Sequence, residues 1–276
     1  MSGWSLTWKG RSPPDGWVDG SPIRPDLLGK AAIADVRAAR IRVGAGERRL
    51  DDLYDVVPLE NTGEDAFLRV DGSARYLGLG RGMERGVLEV IGDGGEQVGA
   101  GLRGGEIRVT GSAGEGAGAE MESGLLRIAG SAGAGLGGPG PGKTRGMRGG
   151  EIFVGGSAGT EAGLALRRGL IAIAGDAGPL AGHWMRAGTI LVGSGKLSQP
   201  GLGLRRGTII ALGGAAVPPG YARNGPVHPV WLRLVARRLR GAHFDAMAQR
   251  LAQGNAFESW SGDLLSLGRG EILIPA

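Results

Sequence analysis

Hydrophobic residues between Met83 and Gly213 alternate with polar or small residues around a glycine that recurs at fixed spacing. In each unit Met or Leu stands three places before this reference glycine, and Ile, Leu or Val (once Ala211) stands two and four places after it. An alternation with period two is typical of a strand with one buried face, whereas a helix needs apolar positions three or four apart. The pattern therefore predicts a series of short strands. The reference glycines are Gly86, Gly105, Gly124, Gly150, Gly169, Gly188 and Gly207.

The spacing of these glycines predicts how the strands are arranged. It is 19 residues throughout, except for one interval of 26 that holds a seven-residue insertion within Gly137–Arg145. Nineteen residues are too few for a strand, a crossover helix and a second strand. Identical units that stack can pair their strands in parallel and bury their apolar positions in shared columns. We expect an all-β fold, a right-handed parallel β-helix of seven or more 19-residue coils.

The flanking segments extend this prediction. Ala66–Gly72 matches the strand pattern and is expected to open the stack, and Leu267–Ile274 is expected to return and add a strand. Pro229–Gln253 has a helical pattern and is expected to cover an open end, where strand edges would otherwise be unpaired. Arg40–Val43 is a possible strand in a lead-in without repeats. The predicted organisation is a lead-in over 1–65, the β-helix over 66–220 with the insertion near 137–145, and a C-terminal helical cap with the returning strand over 221–276.

Composition narrows the possible functions. Of 276 residues 58 are Gly, yet 41% are hydrophobic and Gly does not recur at every third place, which excludes disorder and collagen. The chain has no Cys, so it cannot build a disulfide, an iron–sulfur cluster or a thiolate site by itself. The net charge of +5 comes from scattered Arg with few aromatics, so we expect no nucleic acid as partner. The sequence shows no spanning segment or signal peptide, and we expect no membrane association and a cytoplasmic location.

Motifs for catalysis are weak. Gly133–Gly138 fits the dinucleotide fingerprint, but no helix is predicted to follow it. His183 beside Trp184 has no partner at metal-ligand or triad spacing, so a surface or interface role is favoured. The carboxylates Glu115, Glu120 and Glu122 are interpreted as solvated charges. We therefore predict no catalytic residue and no metal ligand in this chain.

The repeated unit Met-x-x-Gly-x-Ile-x-Val-x-Gly-x-Ala-Gly resembles the GXGXG β-helix that two groups of proteins share. One is the C-terminal domain of the glutamate synthase large chain. The other is the β-helix subunit of formylmethanofuran dehydrogenase, with its relative in the bacterial formyltransferase/hydrolase complex. Arg75–Met83 is similar to this second family's entry into the first coil, and the break before Gly146–Gly150 lies where the family has its insertion. The lead-in residues Pro25–Leu27 and Leu53–Tyr54 also resemble this family.

The resemblance implies a non-catalytic scaffold subunit in a hetero-oligomer with the transferase, hydrolase and remaining subunits. Such a complex moves a formyl group from formyl-tetrahydromethanopterin to a methanofuran-like carrier and releases formate, and this chain itself would hold no cofactor. The alternatives are the β-helix subunit of a molybdenum or tungsten formylmethanofuran dehydrogenase and a glutamate synthase-like domain. Because the carrier is anionic, the weak candidates for contact with it are Lys143, Arg145 and Arg148, and a solvated loop is the other interpretation of this segment.

Overall fold

A computed structural model describes residues 3–10, 16–60, 66–72 and 75–276 of the chain. Its described part is mostly β, with one large sheet of thirteen strands. From one edge of this sheet to the other, the strands are β17 (Ala222–Val227), β18 (Phe257–Gly262), β19 (Arg269–Pro275), β15 (Arg206–Ala211), β13 (Thr189–Val192), β12 (Leu170–Ile173), β11 (Glu151–Val154), β10 (Leu125–Ile128), β9 (Glu106–Val109), β8 (Val87–Ile91), β6 (Phe67–Asp71), β1 (Gly3–Trp8) and β5 (Tyr54–Leu59). The described residues also form two smaller sheets. One has four strands in the order β4 (Gly46–Arg49), β3 (Arg40–Val43), β2 (Val18–Asp19) and β7 (Tyr76–Leu77), and the other pairs β14 (Leu197–Ser198) with β16 (Ala215–Ala216).

The predicted alternating units form strands that pair in parallel, in the register of the repeat. Leu126 of β10 lies between Ile107 of β9 and Ile152 of β11. The same column continues through Ile171 and Ile190. All five side chains are fully buried. The spacing of the repeats thus sets the strand register, because neighbouring strands of the sheet come from consecutive repeats.

The turns of neighbouring repeats are also hydrogen-bonded to each other. Ala113, Ala132 and Ala158 form single-residue parallel bridges with one another in succession. Beside them the hydroxyl of Ser112 accepts the N–H of Ser131, at 3.1 Å. Ser131 does the same for Ser157, at 3.1 Å. The Gly-Ser-Ala-Gly turns therefore supply a second hydrogen-bonded row between repeats.

The N-terminal strand β1 lies outside the strand that was expected to open the stack. β6 pairs in parallel with β8 as predicted, but β1 pairs in parallel with β6, with Leu6 beside Val70. β5 then closes this edge in the antiparallel direction. Ala66–Gly72 therefore holds the first strand in the register of the repeat, but a further strand from the N-terminal segment precedes it at this edge of the sheet. Arg40–Val43 is a strand as predicted. The elements are β1 (Gly3–Trp8), β2 (Val18–Asp19), α1 (Pro25–Leu28), α2 (Ile33–Ala38), β3 (Arg40–Val43), β4 (Gly46–Arg49), α3 (Leu50–Leu53) and β5 (Tyr54–Leu59).

Two buried tyrosines join this N-terminal segment to the repeats. The hydroxyls of Tyr54 and Tyr76 are 2.9 Å apart, and that of Tyr76 donates to the carbonyl of Asp71 at 2.7 Å. Burial raises the pKa of both hydroxyls above the ordinary tyrosine value, so both stay protonated at neutral pH.

The variant Tyr76→Phe should lower the free energy of unfolding by about 1–3 kcal/mol, because it removes both hydrogen bonds in a buried site. Tyr54→Phe is the matched control and should cost less, since Tyr76 then still reaches Asp71. Urea unfolding of the two variants measures the difference. A larger loss for Tyr54→Phe would contradict this role of Tyr76.

The C-terminal segment returns to the sheet and adds a helix pair to its outer face. β19 pairs in parallel with β15, with Gly270 beside the reference glycine Gly207, and β18 and β17 follow it in antiparallel pairing. The helices do not lie across the end of the stack, where the sequence pattern placed them. They pack on the outward strand residues Phe153, Ala172 and Leu191, because these positions are apolar only in the later repeats. The elements are β17 (Ala222–Val227), α4 (Leu232–Arg240), α5 (Asp245–Ala252), β18 (Phe257–Gly262) and β19 (Arg269–Pro275).

Glu106 and Arg127 connect the sheet to the helix pair. The Arg127 guanidinium donates to Glu106 at 2.9 Å and to the carbonyl of Ala242 at 3.0 Å, and it lies over the ring of Phe153. Hydrogen bonding from Arg108, at 2.7 Å, and then from Arg127 lowers the pKa of Glu106 below its ordinary value of 4.5.

The variant Glu106→Gln should lower the melting temperature at pH 7 by about 1–3 °C, the effect of one partly exposed ion-pair network. A carboxylate with a depressed pKa stabilises the fold above pH 4.5, and this contribution is lost as the pH falls through the lowered pKa of the folded state. The gap between variant and wild type should therefore close below pH 4.5. Thermal melts from pH 3 to 7 measure it. Glu115→Gln, at an exposed turn, should show no such trend.

No helix in the described ranges is long and apolar enough to cross a membrane.

Candidate binding surface

The basic residues of the insertion and Arg148, which follows it, lie together at one open cavity. Lys143, Arg145 and Arg148 line a hollow of about 330 Å³ with Glu120 and Thr144. All three basic side chains are exposed. The structure thus brings together the three residues that were predicted to meet an anionic carrier, and their role stays a prediction.

Arg148 belongs to a chain of ion pairs that crosses the repeats. It donates to Glu122 at 2.5 Å, and Glu122 also lies 3.8 Å from Arg103. Arg103 in turn lies 3.4 Å from Glu84. Glu122 is therefore a partly exposed, ion-paired charge, and Glu120 lines the basic cavity.

The residue two places before each reference glycine forms a column that the sequence reasoning missed. Its members in the first three repeats alternate in charge, but the last four are all Arg. Aligning the seven repeats at this position reveals the column, because its residues recur at the spacing of the repeats but do not form a contiguous sequence motif. We call the last four members the arginine row: Arg148, Arg167, Arg186 and Arg205.

Positive charge is concentrated around Arg167. Its Nε is buried and has no hydrogen-bond partner among the described residues. Burial, followed by the positive charges of Arg186 and Arg145, lowers the pKa of the Arg167 guanidinium. The arginine row and the insertion therefore form one basic surface that suits an anion, since guanidinium groups bind carboxylates with two parallel hydrogen bonds.

His183 has a local partner. Its Nδ1 lies 3.3 Å from a carboxylate oxygen of Glu161, and its ring lies 4.4 Å from that of Trp184. Across the described ranges, no group of three or more His, Cys, Asp or Glu side chains could hold a metal ion. Gly133–Gly138 is a turn between repeats, and no helix follows it before β11.

Two larger hollows flank Trp17 near the N-terminal segment. One, of about 530 Å³, is lined by Asp19, Arg42 and Arg81. The other, of about 540 Å³, is lined by Arg75 and further polar residues of the first repeats. Both contain charges of mixed sign in comparable number, whereas basic side chains predominate at the insertion and the arginine row.

These features define the chain as a repeat protein with a stacked, mostly parallel sheet, an outer helix pair and a basic surface. It is similar to a chain in the crystal structure of the formyltransferase/hydrolase complex (FhcABCD) from Methylorubrum extorquens in complex with methylofuran. The two chains are 32% identical, the alignment covers 99% of each, and the TM-score is 0.86. No protein-family model and no curated protein matches this chain. At this identity and coverage, the chain belongs to the same family as the matching chain of the formyltransferase/hydrolase complex.

Proposed function

We propose that this chain is the β-helix subunit of a formyltransferase/hydrolase complex. The observation that carries the proposal is the similarity to a chain of that complex over 99% of both lengths, because it includes the N-terminal segment and the C-terminal helix pair as well as the repeats. The family resemblance of the GXGXG unit supports the assignment to this subunit rather than to one of the others.

We further propose that its 19-residue repeats are the coils of a right-handed parallel β-helix that serves as a scaffold. The strand ladder, the alanine bridges and the serine row, which bond each repeat to the next along separate rows, support this fold. Because several rows of hydrogen bonds join each repeat to the next, such a stack is rigid and gives partner subunits a stable surface to pack on. Formyl transfer to a methanofuran-like carrier and its release as formate would take place on the transferase and hydrolase subunits, in the cytoplasm.

Purification of the natural complex through a tag on this chain tests the proposal. We expect the transferase and hydrolase subunits to co-purify in fixed stoichiometry, and the complex to release formate from formyl-tetrahydromethanopterin. Co-purification with a molybdenum or tungsten protein would instead support the dehydrogenase assignment, and co-purification with glutamate synthase activity would support the third alternative. Formyl transfer or hydrolysis by the isolated chain would refute the scaffold role.

A further inference from the structure

The arginine row is held in register by the backbone. The N–H of Arg167 donates to the carbonyl of Met147 in the preceding repeat, at 2.9 Å. Arg186 and Arg205 make the same bond one and two repeats later, at 2.7 and 2.9 Å. Strands of neighbouring repeats lie about 4.8 Å apart, so the row presents its guanidinium groups at a regular short interval.

The charges in this row are not balanced within the chain. In the earlier repeats the same column pairs Glu84 with Arg103, and Glu122 with both Arg103 and Arg148. Arg167, Arg186 and Arg205 have no carboxylate within ion-pair distance in the part of the chain that the structure describes. Like charges stacked this closely destabilise the isolated chain, so an external set of carboxylates would relieve them.

An exposed apolar surface begins beside the row. Trp184 is 62% exposed and stands two residues before Arg186, and its backbone N–H donates to the carbonyl of Leu202 at 2.8 Å. Leu264 and Leu265 are 60% and 89% exposed. We call these four residues the apolar shelf: Trp184, Leu202, Leu264 and Leu265.

The buried carboxylate of Asp263 holds the two parts of the apolar shelf together. It accepts the N–H of Gly203 at 3.2 Å and that of Leu265 at 2.9 Å. Gly203 lies directly under the Trp184 indole, where an added Cβ would overlap Cδ1 of the ring. The N–H of Asp263 also donates to the carbonyl of Leu204, the residue before Arg205, at 2.9 Å. The apolar shelf and the end of the arginine row are therefore one ordered surface.

We propose that the arginine row and the apolar shelf together dock a partner subunit that presents a row of carboxylates beside an apolar patch. Exposed Trp and Leu next to unpaired Arg is the composition of an interface centre, where Trp and Arg carry a large part of the binding energy. The unbalanced charge selects an acidic partner. This inference rests on the proposed membership of a multi-subunit complex.

The test compares charge reversal on this surface with charge reversal elsewhere. The double variant R186E/R205E should raise the Kd of this chain for the remaining subunits by about tenfold for each reversed charge, and Trp184→Ala by about tenfold. The control R233E/R240E makes the same change in net charge on the exposed side of α4 and should leave the Kd unchanged. Biolayer interferometry with the remaining subunits immobilised measures the wild-type chain and all three variants.

Thermal stability separates docking from a structural role. Arg186→Gln should leave the melting temperature of the isolated chain unchanged or raise it, because it removes a like charge, while it weakens docking. A fall in melting temperature that accounts for the loss of docking would overturn the proposal.

Three other results would also overturn it. The first is normal assembly of R186E/R205E with the remaining subunits. The second is self-association of the isolated chain that this variant abolishes, which would assign the surface to a second copy. The third is loss of poly-L-glutamate binding while assembly is unchanged, which would assign the arginine row to a free polyanion. If the wild-type chain purifies without transferase and hydrolase subunits, the proposed function itself is refuted, and the docking inference falls with it.

Discussion

The variant Ile152→Asp should unfold the protein or lower its melting temperature by about 10 °C or more. Ile152 is fully buried in β11 between Leu126 and Ile171 of the neighbouring repeats. A carboxylate there would have no partner, and an unpaired buried charge is among the costliest substitutions, at about 4 kcal/mol or more. Because each repeat is stabilised by its neighbours, the loss extends beyond one strand. Calorimetry or circular dichroism melts measure the result.

The adjacent residue provides the control. Glu151 points outward and pairs with Arg238 of α4, at 2.7 and 2.6 Å. Glu151→Gln removes one partly exposed ion pair and should cost about 1 kcal/mol or less. Glu151→Lys would be a poorer control, since it places a second positive charge against Arg238. Equal melting temperatures for Ile152→Asp and Glu151→Gln would refute the register of the sheet.

Gly105→Ala should lower the free energy of unfolding by about 2–5 kcal/mol. The residue has a φ of +74°, and an added Cβ would overlap the carbonyl oxygen of Gly86 in the preceding repeat and lie 2.6 Å from the methyl of Met83. The left-handed backbone costs an L-residue about 1–2 kcal/mol, and the overpacking costs about 1–3 kcal/mol more. Chemical denaturation measures the change.

The control for this variant is a glycine outside the stack. Gly46 lies exposed in β4, and an added Cβ would have only the Arg48 guanidinium nearby, at 3.8 Å. Gly46→Ala should therefore change stability by about 0.5 kcal/mol or less. If Gly105→Ala and Gly46→Ala change the free energy of unfolding by the same amount, the reference glycines have no special steric role.

The repeat strands were predictable because their signal is local and repeated. The inward isoleucine stands two places after a reference glycine. Its side chain fills space that is free only because another repeat has a glycine, without a Cβ, at the facing position. An added Cβ on Gly118, for example, would lie 2.5 Å from Cδ1 of Ile152. A single repeat would leave the pairing register of its strand undetermined. Seven repeats with their apolar and glycine positions aligned are compatible with only one strand register.

The placement of the chain ends could not be predicted in the same way. β1 has no reference glycine, and its pairing with β6 spans more than sixty residues of sequence. The helix pair has an apolar face in the sequence, but what it covers depends on Phe153, Ala172 and Leu191, which come from three different repeats. The alternation within a strand predicts which side chains point outward, but it does not predict which distant segment packs on them.

The grouping of basic residues at one surface was predicted only in part. Lys143, Arg145 and Arg148 attract attention because two of them lie in the insertion and the third follows it by three residues. The remaining arginines of the row are 19 residues apart and belong to the ordinary background of a basic chain until the repeats are stacked. Trp184 and Leu265 are 81 positions apart in the chain, and the hydrogen bonds of the Asp263 carboxylate to Gly203 and Leu265 are among the long-range contacts that join their segments at one surface.

The period, the strand positions and the inward columns follow from the amino-acid sequence alone, because glycine sterics and apolar alternation act within one repeat and its copy in the next. Long-range contacts establish which segments close the sheet, that the helix pair covers its outer face, and that four arginines and the apolar shelf form one surface. Those contacts join residues far apart in the chain, and their energies depend on burial and on charges that no local pattern records.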